Sequence, residues 1–105
     1  MSRQQLEKGL ALHQEGKLDE AAEIYQEVLA VDPGNADALH FLGLIAQQRG
    51  DLSAAIEHIE AAISAEPERP TFHFNLGVTF TALGNLAAAA AAYEKAGKLK
   101  PDWLD

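Results

Sequence analysis

Apolar and small residues in the middle of this chain recur with the period of an α-helix rather than that of a strand. Starting from Leu39, such residues return at Leu42, Gly43 and Ala46, the i, i+3, i+4, i+7 spacing that places side chains on one helix face. After Gly50 the spacing starts again, over Leu52, Ala55, Ile56, Ile59, Ala62 and Ile63. The pattern predicts two amphipathic helices joined by a tight turn at a glycine.

This helix pair recurs along the chain with a period of 34 residues. Five columns hold one residue type in all three copies: Gly9, Gly43, Gly77; Gly16, Gly50, Gly84; Leu18, Leu52, Leu86; Ala21, Ala55, Ala89; and Pro33, Pro67, Pro101. A sixth column holds Tyr25, Ile59 and Tyr93. Because a fixed period of this length marks a stacked-repeat protein, we predict a single domain over 1–105. Its copies would be 2–35, 36–69 and 70–103, with 104–105 as the start of a missing fourth repeat or capping helix.

These columns resemble the tetratricopeptide repeat, whose signature runs from Leu-Gly through a later Ala and an aromatic residue to a closing Pro. The second copy carries it as Leu42-Gly43, Ala55, Ile59 and Pro67, and the third as Leu76-Gly77, Ala89, Tyr93 and Pro101. The resemblance implies an all-α fold, a right-handed α-solenoid of three helix–turn–helix repeats. It also implies a non-enzymatic protein–protein interaction module.

In that family the first helices of the repeats line a concave groove that binds peptides or helices. A stripe at i, i+4, i+7 along each predicted first helix would form the groove floor here. The implied groove residues are Leu6, Leu10 and His13; His40, Leu44 and Gln47; Phe74, Val78 and Thr81; with Asp37 and Asn75 beside them. The apolar members would bury one face of a peptide or amphipathic helix, and Asn75, His40 and Gln47 would supply hydrogen bonds. The alternative is that these are single exposed apolar residues with no binding role.

Two further resemblances bear on the partner. The stripes hold no Lys or Arg, so the clamp with which some family members grip a peptide carboxylate is not expected. Asn75 matches one rung of an asparagine ladder that holds peptide backbone in another subfamily, but Glu7 and Phe41 occupy the other two rungs. The run from Ala38 to Gly43 resembles the N-terminal repeats of bacterial glycosyl-, methyl- or sulfotransferases. A second hypothesis is therefore a substrate- or partner-docking segment of a larger transferase.

A third hypothesis is a homo-oligomeric scaffold that assembles through an uncapped last helix. That helix contains an unbroken alanine run from Ala87 to Ala92. The run alone is explained by the strong helix propensity of alanine, and the chain end could also fold back over it. The expected self-association residues are Ala90, Tyr93, Ala96, Gly97, Trp103 and Leu104.

The composition of the chain restricts the classes of partner that it is expected to bind. The chain has 105 residues, of which 48% are hydrophobic, and 8 Lys+Arg against 16 Asp+Glu give a net charge of −8. Nucleic acid and anionic membranes repel such a chain, so a protein or peptide is the expected partner. With no cysteine, no disulfide framework is possible. We expect a soluble, cytoplasmic protein.

The sequence shows no motif typical of a catalytic, metal-binding or phosphate-binding site. The four histidines show no i, i+4 pair of the kind that holds a metal ion on a helix. The glycines follow the repeat period rather than the spacing of a phosphate-binding loop. We therefore expect no catalytic residue, no metal site and no cofactor.

Overall fold

The structure is a computed structural model that describes residues 2–100, and every regular element in that part of the chain is an α-helix. The helices are α1 (Ser2–Gln14), α2 (Leu18–Val31), α3 (Ala36–Gln48), α4 (Leu52–Ala65), α5 (Pro70–Leu83) and α6 (Leu86–Leu99). They form three hairpins that stack in chain order, which confirms the predicted all-α solenoid of helix–turn–helix repeats.

The glycines at the hairpin turns supply a left-handed backbone. Gly16, Gly50 and Gly84 have φ angles of 81°, 80° and 90°, a region that residues with a Cβ rarely adopt. The following helix is capped in two of the three hairpins, where Asp51 accepts from the Ala54 amide and Asn85 from the Ala88 amide.

A second glycine column allows the two helices of each hairpin to touch. An ideal Cβ at Gly9 would lie 2.6 Å from Cε1 of Tyr25, and one at Gly43 would lie 2.6 Å from Cγ1 of Ile59. The same relation holds in the third hairpin, where Tyr93 packs over Gly77. The glycine column and the aromatic or β-branched column are therefore the two sides of one contact, which offsets the cost of glycine inside a helix.

The hairpins are joined by apolar side chains that the second helix of one hairpin and the first helix of the next share. Between the first two hairpins, buried Tyr25 and Val28 of α2 pack with Leu42 and Ile45 of α3. Between the second and third, fully buried Phe72 of α5 lies in the cluster that contains Ala36 and Ala62. This shared burial makes the three hairpins one stack.

The stack has an inner and an outer side. Helix α3 contacts both α1 and α5, whereas α2, α4 and α6 make no contact with one another within residues 2–100. Neighbouring first helices are therefore closer together than neighbouring second helices. The surface formed by α1, α3 and α5, here called the inner face, is the concave one.

Candidate functional site

The inner face presents apolar side chains that are only partly covered. Leu6 is half-buried against the core shared by the first two hairpins, and Leu10 is 38% exposed. Leu44, Phe74 and Val78 on α3 and α5 are half-buried. All five lie on first helices, the elements that form the inner face, and Leu6 and Leu10 line one cleft there.

An open cleft of about 230 Å³ lies on this face between α1 and α3. Its apolar lining combines the predicted Leu6 and Leu10 with Phe41, whose ring stacks 5.3 Å from that of Tyr25. Charged side chains border it, and the complete lining is Arg3, Leu6, Glu7, Leu10, Asp37 and Phe41. Arg3, Glu7 and Phe41 are additional to the predicted groove residues. Glu7 and Phe41 share the column of Asn75, so the repeat period was the signal that could have found them.

The polar side chains of the inner face bond to one another across neighbouring helices. Gln47 Nε2 donates to Thr79 Oγ1 at 2.8 Å, and Asn75 Nδ2 donates to His40 Nε2 at 2.8 Å. His13 Nε2 of α1 donates to Gln48 Oε1 of α3, again across neighbouring first helices. These bonds differ from the expectation that His40, Asn75 and Gln47 present hydrogen-bonding groups to a partner. The reason is that adjacent first helices lie within reach of each other's polar side chains.

His40 is the clearest case, because it is 4% exposed. Its ring lies 4.6 Å from the ring of Phe72 and 5.7 Å from that of Phe41. Burial lowers the pKa of His40 to about 4, against an opposing effect of Asp37 and with a further lowering by Arg69. The imidazole is therefore neutral at neutral pH, and it accepts the amide hydrogen of Asn75.

The remaining predicted groove residues lie at the borders of the inner face. Asp37 forms an ion pair with Arg69 at 2.9 Å, and this pair links the first helix of the second repeat to the turn before α5. Thr81 is exposed, and its Oγ1 donates to the backbone oxygen of Gly77. Its hydroxyl also lies 3.4 Å from Oη of Tyr93, so it faces the helix of its own hairpin.

The residues expected to mediate self-association divide into three groups. Ala96 is fully buried inside the third hairpin, and Tyr93 is half-buried with its ring 5.4 Å from that of Phe74. Ala90 is exposed and Gly97 is half-buried. Trp103 and Leu104 lie outside the described residues. Ala96 is therefore a packing residue of its own hairpin, because the side of α6 on which it lies faces α5.

Within residues 2–100 no group of three or more His, Asp or Glu residues lies close enough to hold a metal ion. His73, for example, is buried and donates to the backbone oxygen of Pro67 at 2.8 Å, which makes it a packing residue. None of the six described helices is both long and apolar enough to cross a membrane.

Paired helices stacked with a glycine contact inside each hairpin define a helical-repeat protein. The family model for the tetratricopeptide repeat matches residues 6–63 and again 42–102. The chain belongs to the tetratricopeptide repeat family. Proteins built on this fold are typically protein–protein interaction modules.

Solved structures support this assignment. An O-GlcNAc transferase of Thermobaculum terrenum is similar at 25% identity with a TM-score of 0.93, over 97% of this chain and 20% of that protein. The type III secretion translocator chaperone SycD of Yersinia enterocolitica matches at 24% identity with a TM-score of 0.90, over 98% of this chain and 80% of its own. It has also been solved with a peptide of the translocator YopD.

A further similar structure is the second tetratricopeptide domain of Spaghetti (RPAP3) bound to an HSP90 peptide, at 22% identity and a TM-score of 0.88. That match covers 94% of this chain and 92% of the other. No curated protein matches the chain. The present chain thus spans only about a fifth of the transferase but most of the two peptide-binding proteins.

Proposed function

We propose that this protein is a non-enzymatic interaction module that binds a peptide or an amphipathic helix along its inner face. The observation that carries the proposal is the row of partly exposed apolar side chains on α1, α3 and α5 with an open cleft beside Leu6 and Leu10. Such a surface can bury the apolar side of a partner segment. Tetratricopeptide structures solved with bound peptides support a partner of this kind.

The partner would be recognised mainly by its apolar side chains. The cross-helix bonds of His40, Asn75 and Gln47 already use the polar groups of the inner face, so few remain for a ligand. A peptide held by its terminal carboxylate is not expected, because the groove stripes contain no Lys or Arg and the cleft has only Arg3. The proposal includes a cytoplasmic location, which the acidic, cysteine-free composition supports.

The test begins with random peptides displayed on phage and selected against the immobilised chain. The affinity of an enriched peptide is then measured by calorimetry for the parent and for Leu10→Asp. We expect Leu10→Asp to weaken binding about tenfold or more, or ~1.4 kcal/mol, because it places a charge in an apolar site. Phe74→Ala should also weaken binding, and its melting curve is needed because the Phe74 ring also packs near Tyr93.

The matched control is Val31→Asp, an identical change in charge at a residue that is 83% exposed and lies at the end of α2, away from the inner face. This variant should bind like the parent. If Leu10→Asp binds as tightly as the parent, the inner face is not the site. If Val31→Asp loses binding instead, the site is the cleft of about 380 Å³ that Val31 lines with Val28 and Gln5.

A second candidate function is a docking segment of a larger transferase. It is favoured by the match of 97% of this chain to part of an O-GlcNAc transferase. Reading the source coding sequence beyond Asp105 tests it. A catalytic domain in the same frame supports this candidate, and an immediate stop codon rules it out.

A further inference from the structure

The exposed side of the third hairpin differs in chemistry from the same side of the other two. Several positions of the 34-residue period are exposed in every hairpin, and three of them show this difference clearly. In the first two hairpins these three positions hold polar or charged side chains, and in the third they hold only apolar ones. The three sets are Glu15, Arg49 and Leu83; Asp19, Ser53 and Ala87; and Glu23, Glu57 and Ala91.

Leu86 and Ala90 are also exposed, and they extend these three positions of the third hairpin into one apolar surface. Leu86 is 67% exposed and Leu83 is 51% exposed, so the turn between α5 and α6 shows two large apolar side chains to solvent. Ala90 follows one turn after Leu86 on the same side of α6. We call the five residues Leu83, Leu86, Ala87, Ala90 and Ala91 the α6 patch. It contains no side chain that can hydrogen-bond or carry charge.

The apolar character of the α6 patch is not simply a consequence of its location in the last described hairpin. The equivalents of Leu83 and Ala87 in the first two hairpins are joined across the stack by the ion pair between Arg49 and Asp19. That outer edge is therefore solvated and charged where hairpins follow one another. In the third hairpin the same edge is apolar, and a surface of this kind marks a contact with another molecule.

The repeat itself shows which kind of element covers such a surface. Ala22 and Ile56 are the equivalents of Ala90 in α2 and α4, and both are half-buried where the first helix of the next hairpin packs. We therefore expect Ala90 to pack against another helix. Ala90 and Gly97 are smaller than Ile56 and Ile63, so that helix can approach α6 closely.

The distribution of charge along the chain bears on which helix covers Ala90. By the sequence, residues 2–35 carry 3 basic and 7 acidic side chains and residues 36–69 carry 2 and 6, which gives each of these copies a net charge of −4. No charged residue occurs from Pro70 to Tyr93. Among symmetric contacts between two copies of this acidic chain, the one through the third hairpins therefore carries the least repulsion.

At the opposite end of the stack, the positions of α1 that correspond to packing residues of α3 are mainly polar. The residues of α1 that are equivalent to buried Ala38, Leu42 and Ile45 are Gln4, Lys8 and Ala11, and all three are exposed. Stacking α6 of one copy on α1 of the next would bury Lys8 and Gln4 against an apolar surface, which is costly. Head-to-tail assembly is therefore disfavoured.

From these observations we propose that the α6 patch is a self-association surface at which two copies of this chain form a symmetric dimer, with α6 of one copy packed against α6 of the other. Such an isologous contact uses the same patch twice and stops at two copies. The inner face stays open in this dimer, so the surface is additional to the proposed peptide site.

Sedimentation equilibrium of the 105-residue chain, from micromolar to near-millimolar concentration, tests the proposal. The mass of the parent should rise from the single-chain value of 11.3 kDa towards twice that value and no further. The double variant Leu83→Arg with Ala87→Asp places at these positions the residue types found at Arg49 and Asp19. It should fold as the parent does and raise the dissociation constant about a hundredfold or more.

Leu10→Asp and Val31→Asp are the controls, and both should dimerise like the parent. Loss of the dimer only in the double variant supports the proposal, whatever the result of the peptide-binding test. If the parent keeps the single-chain mass at every concentration, the proposal is wrong. The α6 patch would then be covered by the end of the chain itself or by a helix of another protein. Growth beyond two copies, or a double variant that dimerises like the parent, also overturns the proposal.

A second measurement uses the absence of cysteine from the chain. Under mild oxidation Ala90→Cys should give a disulfide-linked dimer, because the same residue of both copies lies at the symmetric contact. Val31→Cys controls for random collision. If Ala90→Cys links no faster than Val31→Cys, the symmetric contact through α6 is wrong.

Discussion

At the scale of the residue, the buried imidazole of His40 connects the inner face to the stability of the stack. It is held between Phe41 and Phe72 and accepts a hydrogen bond from Asn75. Protonation would place a second donor against the amide of Asn75 and a charge among aromatic rings. The neutral form is therefore part of the contact between α3 and α5.

This contact predicts a dependence of stability on pH. The pKa of His40 falls from 6.5 to about 4 on folding, so between these values the unfolded chain binds a proton that the folded chain does not. The free energy of unfolding should therefore decrease as the pH falls through this range, by about 2 kcal/mol at about pH 5 and by up to about 3 kcal/mol near pH 4.

Urea unfolding of the parent and of His40→Gln at about pH 7.5 and about pH 5 measures this loss. The glutamine variant should lose less stability than the parent between the two pH values, because it has no group that titrates there. His58→Gln on α4 is the control and should keep the loss. Equal losses in the parent and His40→Gln would mean that other groups cause the acid sensitivity.

At the scale of the element, the three second helices begin in different ways. Asp51 and Asn85 cap α4 and α6 with their side chains, whereas the equivalent Lys17 makes no side-chain cap for α2. Lys17 instead pairs with Glu15 at 3.3 Å, and both side chains are more than half exposed. An exposed pair of this kind contributes little, and a cation at a helix N-terminus is unfavourable.

Lys17→Asp should therefore stabilise the protein. The new carboxylate would occupy the capping position of Asp51 and accept from a backbone amide of the first turn, which contributes about 1 kcal/mol. Thermal unfolding measures the gain. Lys17→Ala removes the cation without adding a cap, and it should gain clearly less. A melting temperature of Lys17→Asp no higher than that of Lys17→Ala would contradict the capping argument.

At the scale of the whole molecule, residues 2–100 form a linear stack in which each hairpin contacts only its neighbours. The contact between the second and third hairpins depends on Phe72, which is fully buried, and on Arg69. The guanidinium carbon of Arg69 lies 4.4 Å from the centre of the Phe72 ring. The ion pair of Arg69 with Asp37 crosses the same junction. Loss of this contact should separate the third hairpin from the rest.

Phe72→Ala should cost about 3–5 kcal/mol, a large part of the 5–15 kcal/mol that stabilises a typical domain. Native-state hydrogen exchange should then show a greater loss of protection in α5 and α6 than in α1 and α2. Phe74→Ala, on the same helix but packed near Tyr93 of its own hairpin, is the comparison. Equal loss of protection in all six helices for Phe72→Ala would show that the stack unfolds as one unit.

Much of the fold could be predicted from the sequence, because its determinants are local or recur with one period. A turn that requires a left-handed backbone demands glycine at Gly16, Gly50 and Gly84, and the caps at Asp51 and Asn85 depend on residues three positions away. The columns of Gly43 and Ile59 predict their own contact, because close helix packing needs a small residue opposite a large one.

What the sequence alone determined is therefore the repeat, its helices and the side of each helix that carries apolar residues. The tertiary structure decided which polar groups are already bonded, since His40 and Asn75 are 35 residues apart and meet only when α5 stacks beside α3. It also decided that Ala96 is buried while Ala90 is exposed, although both are alanines of one helix. The physical reason is that exposure and partnership depend on the neighbouring helices, and these are defined only once the hairpins have stacked.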